Sequence, residues 1–141
     1  MATVIRPELS SKNKYWIDKH RYYELKHFCL QYNEWRKARS EIDGYSAIST
    51  AAAVGETYSS NTVSDTTARY AMMKNFYTRR IGLIEDAAVA TDPDLHTYIL
   101  KAVTEGLSFT YLKTKLDIPC GKDTYYKLYR KFFWILNETR E

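Results

Sequence analysis

Ser108, Lys113, Lys115, Lys122, Thr124, Tyr126, Lys127, Arg130 and Lys131 lie within one short stretch, and their shared chemistry is hydrogen bonding to anions. Lysine and arginine neutralise phosphate oxygens and release condensed counterions, while the hydroxyls add short-range donors and acceptors. From Ser108 to Phe132 there are six basic residues against two acidic ones, and the remaining residues balance at fifteen of each sign. The net charge of +4 therefore sits on one stretch of 25 residues. A field placed this way suits a polyanion, although the same excess is also ordinary on a solvated helix face.

Other chemistry is sparse. The chain has no phosphate-binding loop, dinucleotide fingerprint, zinc-ligand spacing or nucleophile elbow, so neither an enzyme nor a cofactor is expected. His20, His27 and His96 are scattered on helical segments and read as surface or packing residues. Cys29 and Cys120 make no disulfide framework. Cys29 falls on an apolar helical face as a small buried hydrophobe, and nothing around Cys120 nominates it as a nucleophile. Asp92 and Asp94 flank Pro93 at a helix start, where negative charge complements the helix dipole without any metal. The N-terminus lacks the apolar core of a secretory signal, and no apolar run approaches the roughly 20 residues that span a bilayer; the expectation is a cytoplasmic chain.

The basic residues need helices to position them. Asp92-Pro93 opens one whose apolar face is Leu95, Tyr98, Ile99 and Ala102, and Gly106 closes it. Ser108 caps a short second helix with Phe109, Leu112 and Leu116 inward and Lys113 and Lys115 outside that stripe. Ile118, Pro119, Cys120 and Gly121 break the pattern through proline and glycine, and a third helix begins near Lys122 or Asp123. In this helix Tyr125, Leu128, Tyr129, Phe132 and Leu136 share one arc. Asp123, Tyr126, Lys127, Arg130 and Asn137 lie opposite, flanked by Thr124 and Lys131. A short helix, a turn and a long helix with an apolar back and a cationic front is the form that enters a DNA major groove; it is equally the end of an ordinary helical bundle. Trp134 points away from Phe132 and Leu136, so it is expected to dock on the N-terminal helices or on a second subunit.

The expected fold class is all-α: long N-terminal helices followed by a C-terminal helix-turn-helix unit at 92–141. Residues 1–14 read as a tail or arm. From about Asp18, Tyr22, Leu25, Phe28, Cys29, Tyr32, Trp35, Ala38 and Ile42 recur at helical spacing, as one helix to Asp43 or as two joined near Tyr32 and Asn33. Glu24, Glu34 and Glu41 alternate with Lys26, Arg36, Lys37 and Arg39 on the other face as intrahelical charge pairs. Residues 44–64 hold eight Ser/Thr residues and one charged residue, Glu56, and read as a linker. Ser64 or Asp65 then caps a long helix, 65–91, with Met73, Phe76, Tyr77, Ile81, Ile84 and Ala88 as its stripe. Its length asks for a long helical mate, in the same chain or in a second copy, so a homodimer is a reasonable expectation. Thirteen tyrosines and three tryptophans would stack on single-stranded bases or pack between helices, and their helical spacing favours packing.

The runs FCLQYNEW, FYTRRIGLIE and LDIPCGKDTYYKLYRKFF, with a Ser/Thr-rich spacer between the first two, resemble phage late-gene transcriptional activators of the RinA and ArpU type. The C-terminal part of those activators is similar to the promoter-reading helix-turn-helix of sigma factors. Leu112, Leu116, Ile118 and Tyr125 match its buried pattern, whereas Pro119, Cys120 and Gly121 make a longer turn than the common L-G-I-S-x-x-T-V form. The resemblance implies a sequence-specific regulator that binds double-stranded DNA in a bacterial host cell, with RNA polymerase as a further partner. Lys122, Thr124, Tyr126, Lys127 and Arg130 would then meet base edges or sugar-phosphate, and Ser108, Lys113, Lys115 and Lys131 would fix the backbone register. Two alternatives stand beside it. One is a small terminase subunit, in which the DNA-binding unit usually comes first; the other is a helical protein-interaction module that never touches DNA.

Overall fold

A computed structural model describes residues 13–53 and 60–140, with side chains from 13–44 and 65–140. The expected N-terminal arm falls almost wholly outside the described residues. All regular structure among them is helical: α1 (Lys19–Leu30), α2 (Tyr32–Ala53), α3 (Ser60–Thr91), α4 (His96–Glu105), α5 (Phe109–Lys115) and α6 (Lys122–Thr139). Two compact units are present, one formed by the chain up to Tyr32 and from Leu83 onward, the other by Asn33–Gly82.

In the first unit, the Asp18 side chain accepts from the His20 N–H at 3.0 Å and starts α1. The helix stops at Gln31, whose N–H turns back to the Phe28 carbonyl, so the N-terminal segment is two helices rather than one. Tyr22, Leu25, Phe28 and Cys29 form the buried face of α1, which packs on α4 and α6. Leu25 and Phe28 each contribute about 1.5–3 kcal/mol on full burial. Tyr32 donates from its hydroxyl to Glu85 Oε2 at 2.6 Å. Glu24 forms an intrahelical pair with Arg21 at 2.9 Å and also meets Arg140, from the far end of the chain, at 2.8 Å.

The Asp92 carboxylate accepts from the N–H groups of Asp94 (2.8 Å) and Leu95 (3.0 Å), but these belong to a turn at 93–95: α4 starts at His96 with Leu95 at its N-cap and no side-chain cap, later than Asp92-Pro93 implied. Gly106 closes α4 at φ 69°, and the Leu107 N–H reaches back to the Ala102 carbonyl. Ser108 accepts from the Tyr111 N–H at 3.2 Å and starts α5. Its ending corrects the sequence reading. The left-handed residue is Asp117, at φ 54°, and the Ile118 N–H bonds back to the Leu112 carbonyl at 3.0 Å; Gly121 is extended, at φ −81°. A short polar side chain tolerates the left-handed region better than most, so the turn does not rely on glycine. Ala102, Leu112, Ile118 and Tyr125 form the core that α4, α5 and α6 share, with Leu95, Tyr98, Phe109 and Leu116 packed against it.

The second unit departs from the expected linker. Helix α2 continues through Gly44 to Ala53 and α3 begins at Ser60, so only 54–59 of the 44–64 segment lies outside the described residues. A helical glycine costs about 1 kcal/mol and serine or threonine less than that, so neither stops a helix unaided. Asp43 pairs with Lys74 at 2.8 Å, and Arg39 with Thr78 at 3.5 Å, which sets α2 and α3 antiparallel in this unit. Trp35, Ile42 and Ile81 are buried, whereas Met73 and Phe76 of the expected α3 stripe are exposed. The buried part of that stripe is Ile81, Ile84 and Ala88.

Candidate nucleic-acid interface

Helix α6 carries most of the cationic candidates, and what clamps it decides which of them face outward. Tyr125, Phe132, Phe133 and Leu136 are its buried residues. Phe133 is absent from the arc read by periodicity, although it follows Tyr129 by four positions. Its ring meets Tyr22 edge-on at 5.2 Å, Tyr129 at 4.9 Å and Phe132 at 5.0 Å. Helix α1 covers one side of α6 and the α4–α5 pair covers another, so the buried arc is wider than a single-partner stripe.

Polar contacts fasten the same seam. The Tyr22 and Tyr129 hydroxyls lie 2.9 Å apart, and Arg21 donates from Nε to Asn137 Oδ1 at 2.7 Å and from a terminal nitrogen to the Arg140 carbonyl at 2.6 Å. Arg140 stacks over Phe28 at 4.1 Å while pairing with Glu24. Asn137, read from the wheel as part of the outward front, is therefore committed to α1. Trp134 is half-buried, and its ring lies 5.8 Å from that of Tyr15 in the segment that leads into α1.

The remaining candidates divide by what their heads already touch. Ser108 holds the α5 cap, although its hydroxyl hydrogen can still be donated. Lys113 donates to the Ile118 carbonyl at 3.3 Å. Lys122 lies over the Tyr126 ring at 5.6 Å, and Tyr126 is half-buried against Phe109. Lys115, Thr124 and Lys127 are exposed, and Arg130 and Lys131 are half-buried. Among the described residues none of these cations has an ion pair. Lys127, Arg130 and Lys131 are neighbours at i, i+3 and i+4, so their charges act together on the face turned away from Phe132 and Leu136. The acidic residue of this helix's first turn is Asp123.

The groups that could support other chemistry are protonated by their surroundings. Burial pushes the Cys29 thiol well above its ordinary value, with Arg140 opposing. Partial burial raises Cys120, against a lowering by Lys113. Neither is an activated thiolate. Desolvation likewise raises the Tyr125 and Tyr129 phenols, so both remain neutral donors. A cleft lined by Tyr22, Lys26, Phe109, Tyr126 and Phe133 has a cavity volume of about 100 Å³, below the roughly 300 Å³ at which small-molecule sites begin. Among the described residues no group of three or more His, Cys, Asp or Glu could hold a metal, and no helix is long and apolar enough to cross a membrane. No family model, curated protein or solved structure matches the chain.

Proposed function

We propose that this chain is a sequence-specific DNA-binding transcriptional regulator whose reading element is α6, with RNA polymerase as a further partner and phage or prophage late genes as its target class. The gene class and the polymerase contact rest on the resemblance to the RinA and ArpU type. The observation that carries the DNA-binding reading is local: Lys127, Arg130 and Lys131 crowd one face of a helix whose opposite face is locked into aromatic packing, and none has an ion pair among the described residues. A helix held rigidly by its back and presenting such cations at its front loses little entropy when it meets phosphates and base edges. Lys115 at the end of α5 adds a charge that sees only the backbone of the duplex.

Fluorescence anisotropy with duplexes from the region adjacent to the chain's own gene, titrated across salt, tests this. The double substitution Lys127→Ala/Arg130→Ala is expected to abolish discrimination between duplexes and to flatten the salt slope by about 1 for each phosphate no longer neutralised. Lys115→Ala should weaken all sequences alike. Full affinity and an unchanged slope in the double variant would remove α6 as the reading element.

A further inference from the structure

The first sixteen described side chains of α3, Asp65 to Arg80, include none that is buried, yet they contain Met72 at 73% exposure, Phe76 at 46% and Met73 at 38%. Asp65, Arg69, Met72, Met73, Phe76 and Arg80 follow one another at intervals that keep them within a single face of the helix. Their order is self-complementary. In an antiparallel pairing of two such helices about a two-fold axis between Met72 and Met73, Asp65 meets Arg80 of the other copy, Arg69 meets Phe76, and Met72 meets Met73. The contacts on one side of the axis repeat on the other, as an isologous interface requires.

We propose that this α3 face is the contact between two copies of the chain. Charge selects the occupant and its direction. A parallel pairing would place Asp65 against Asp65, Arg69 against Arg69 and Arg80 against Arg80, whereas the antiparallel one converts them into two ion pairs and two cation-on-ring contacts. Arg80 already lies over the Phe76 ring at 3.5 Å, which leaves the edge of its guanidinium for a carboxylate arriving from the other copy. Methionines at the centre supply flexible apolar surface that closes a seam between helices. The contact uses only residues of the second unit and stands independently of any DNA binding.

Sedimentation velocity on the full chain tests it without nucleic acid. One helix stripe lies at the low end of specific interface sizes, so the range to cover is about 10–300 µM. The expected result is a monomer–dimer equilibrium in which Asp65→Arg or Arg80→Asp alone raises the dissociation constant roughly tenfold, while an equimolar mixture of the two variants regains the wild-type value. In the mixture each altered residue meets its opposite charge, which no effect on folding could imitate. Met72→Glu, at the most exposed position, should give a monomer with unchanged helicity by circular dichroism. The proposal is overturned by a wild-type chain that stays monomeric up to about 300 µM, by a dimer that Met72→Glu leaves intact, or by charge variants that do not restore one another.

Discussion

Removing the Phe133 ring probes the seam that aims α6. This side chain has no exposed surface and touches three other aromatic rings, Tyr22 of α1 and Tyr129 and Phe132 of its own helix. Phe→Ala in a core costs about 3–5 kcal/mol, and each well-placed ring pair adds about 0.5–1.5 kcal/mol beyond area alone. Helices on both flanks limit collapse into the void, which places Phe133→Ala in the upper half of that range, about 4 kcal/mol. That is a large share of the roughly 5–15 kcal/mol stability of a small domain. With an m-value of about 2 kcal/mol/M, the urea midpoint followed by circular dichroism should fall by about 2 M. Phe133→Leu keeps most of the volume and should lose about 1.5 kcal/mol or less. A loss under about 1 kcal/mol for the alanine variant, at unchanged m-value, would refute the packing of α1 on α6, because such a loss is typical of a surface position.

Two further outcomes follow from the first unit. Gly106 closes α4 at φ 69°, and a Cβ there would meet only Leu30 Cδ2 at 3.7 Å, an ordinary contact; Gly106→Ala should therefore cost about 1–2 kcal/mol from backbone strain alone, and Gly106→Asn less, by urea unfolding. Burial raises the Tyr129 and Tyr125 phenols, so their stabilising contribution is complete below the unfolded value of about 10 and is lost as pH rises through the folded values. Stability measured from pH 9 to pH 12 should fall above about pH 10 by up to 1.4 kcal/mol per pH unit for each such phenol, and Tyr129→Phe should reduce that slope; a slope that the substitution leaves unchanged would remove Tyr129 as a source.

Local chemistry made much of this protein legible in one dimension. The Asp18 and Ser108 caps and the left-handed Gly106 are set by interactions spanning a few residues, and they stand where their residue types place them, whereas the Asp92 carboxylate closes a turn ahead of α4 instead of capping it. The apolar period of α1 was equally readable, because a stripe at 3.6-residue spacing has only one side to bury. Propensity misled at residues 44–64, where Gly44 and the hydroxyl residues suggested a linker and helix runs on at both ends. The cost of each poor helix former is small beside the cooperative gain of propagating a helix that has already begun.

What no local pattern could decide is how many neighbours each helix has. Phe133 is buried and Asn137 is engaged because α1 lies along α6, a contact between residues more than a hundred positions apart. Met73 and Phe76 share a stripe with Ile81 and Ile84, yet exposure divides that stripe in two. Periodicity states which face of a helix is apolar; only the folded chain states whether another surface arrives to cover it, and that difference separates the locked back of α6 from the uncovered face of α3.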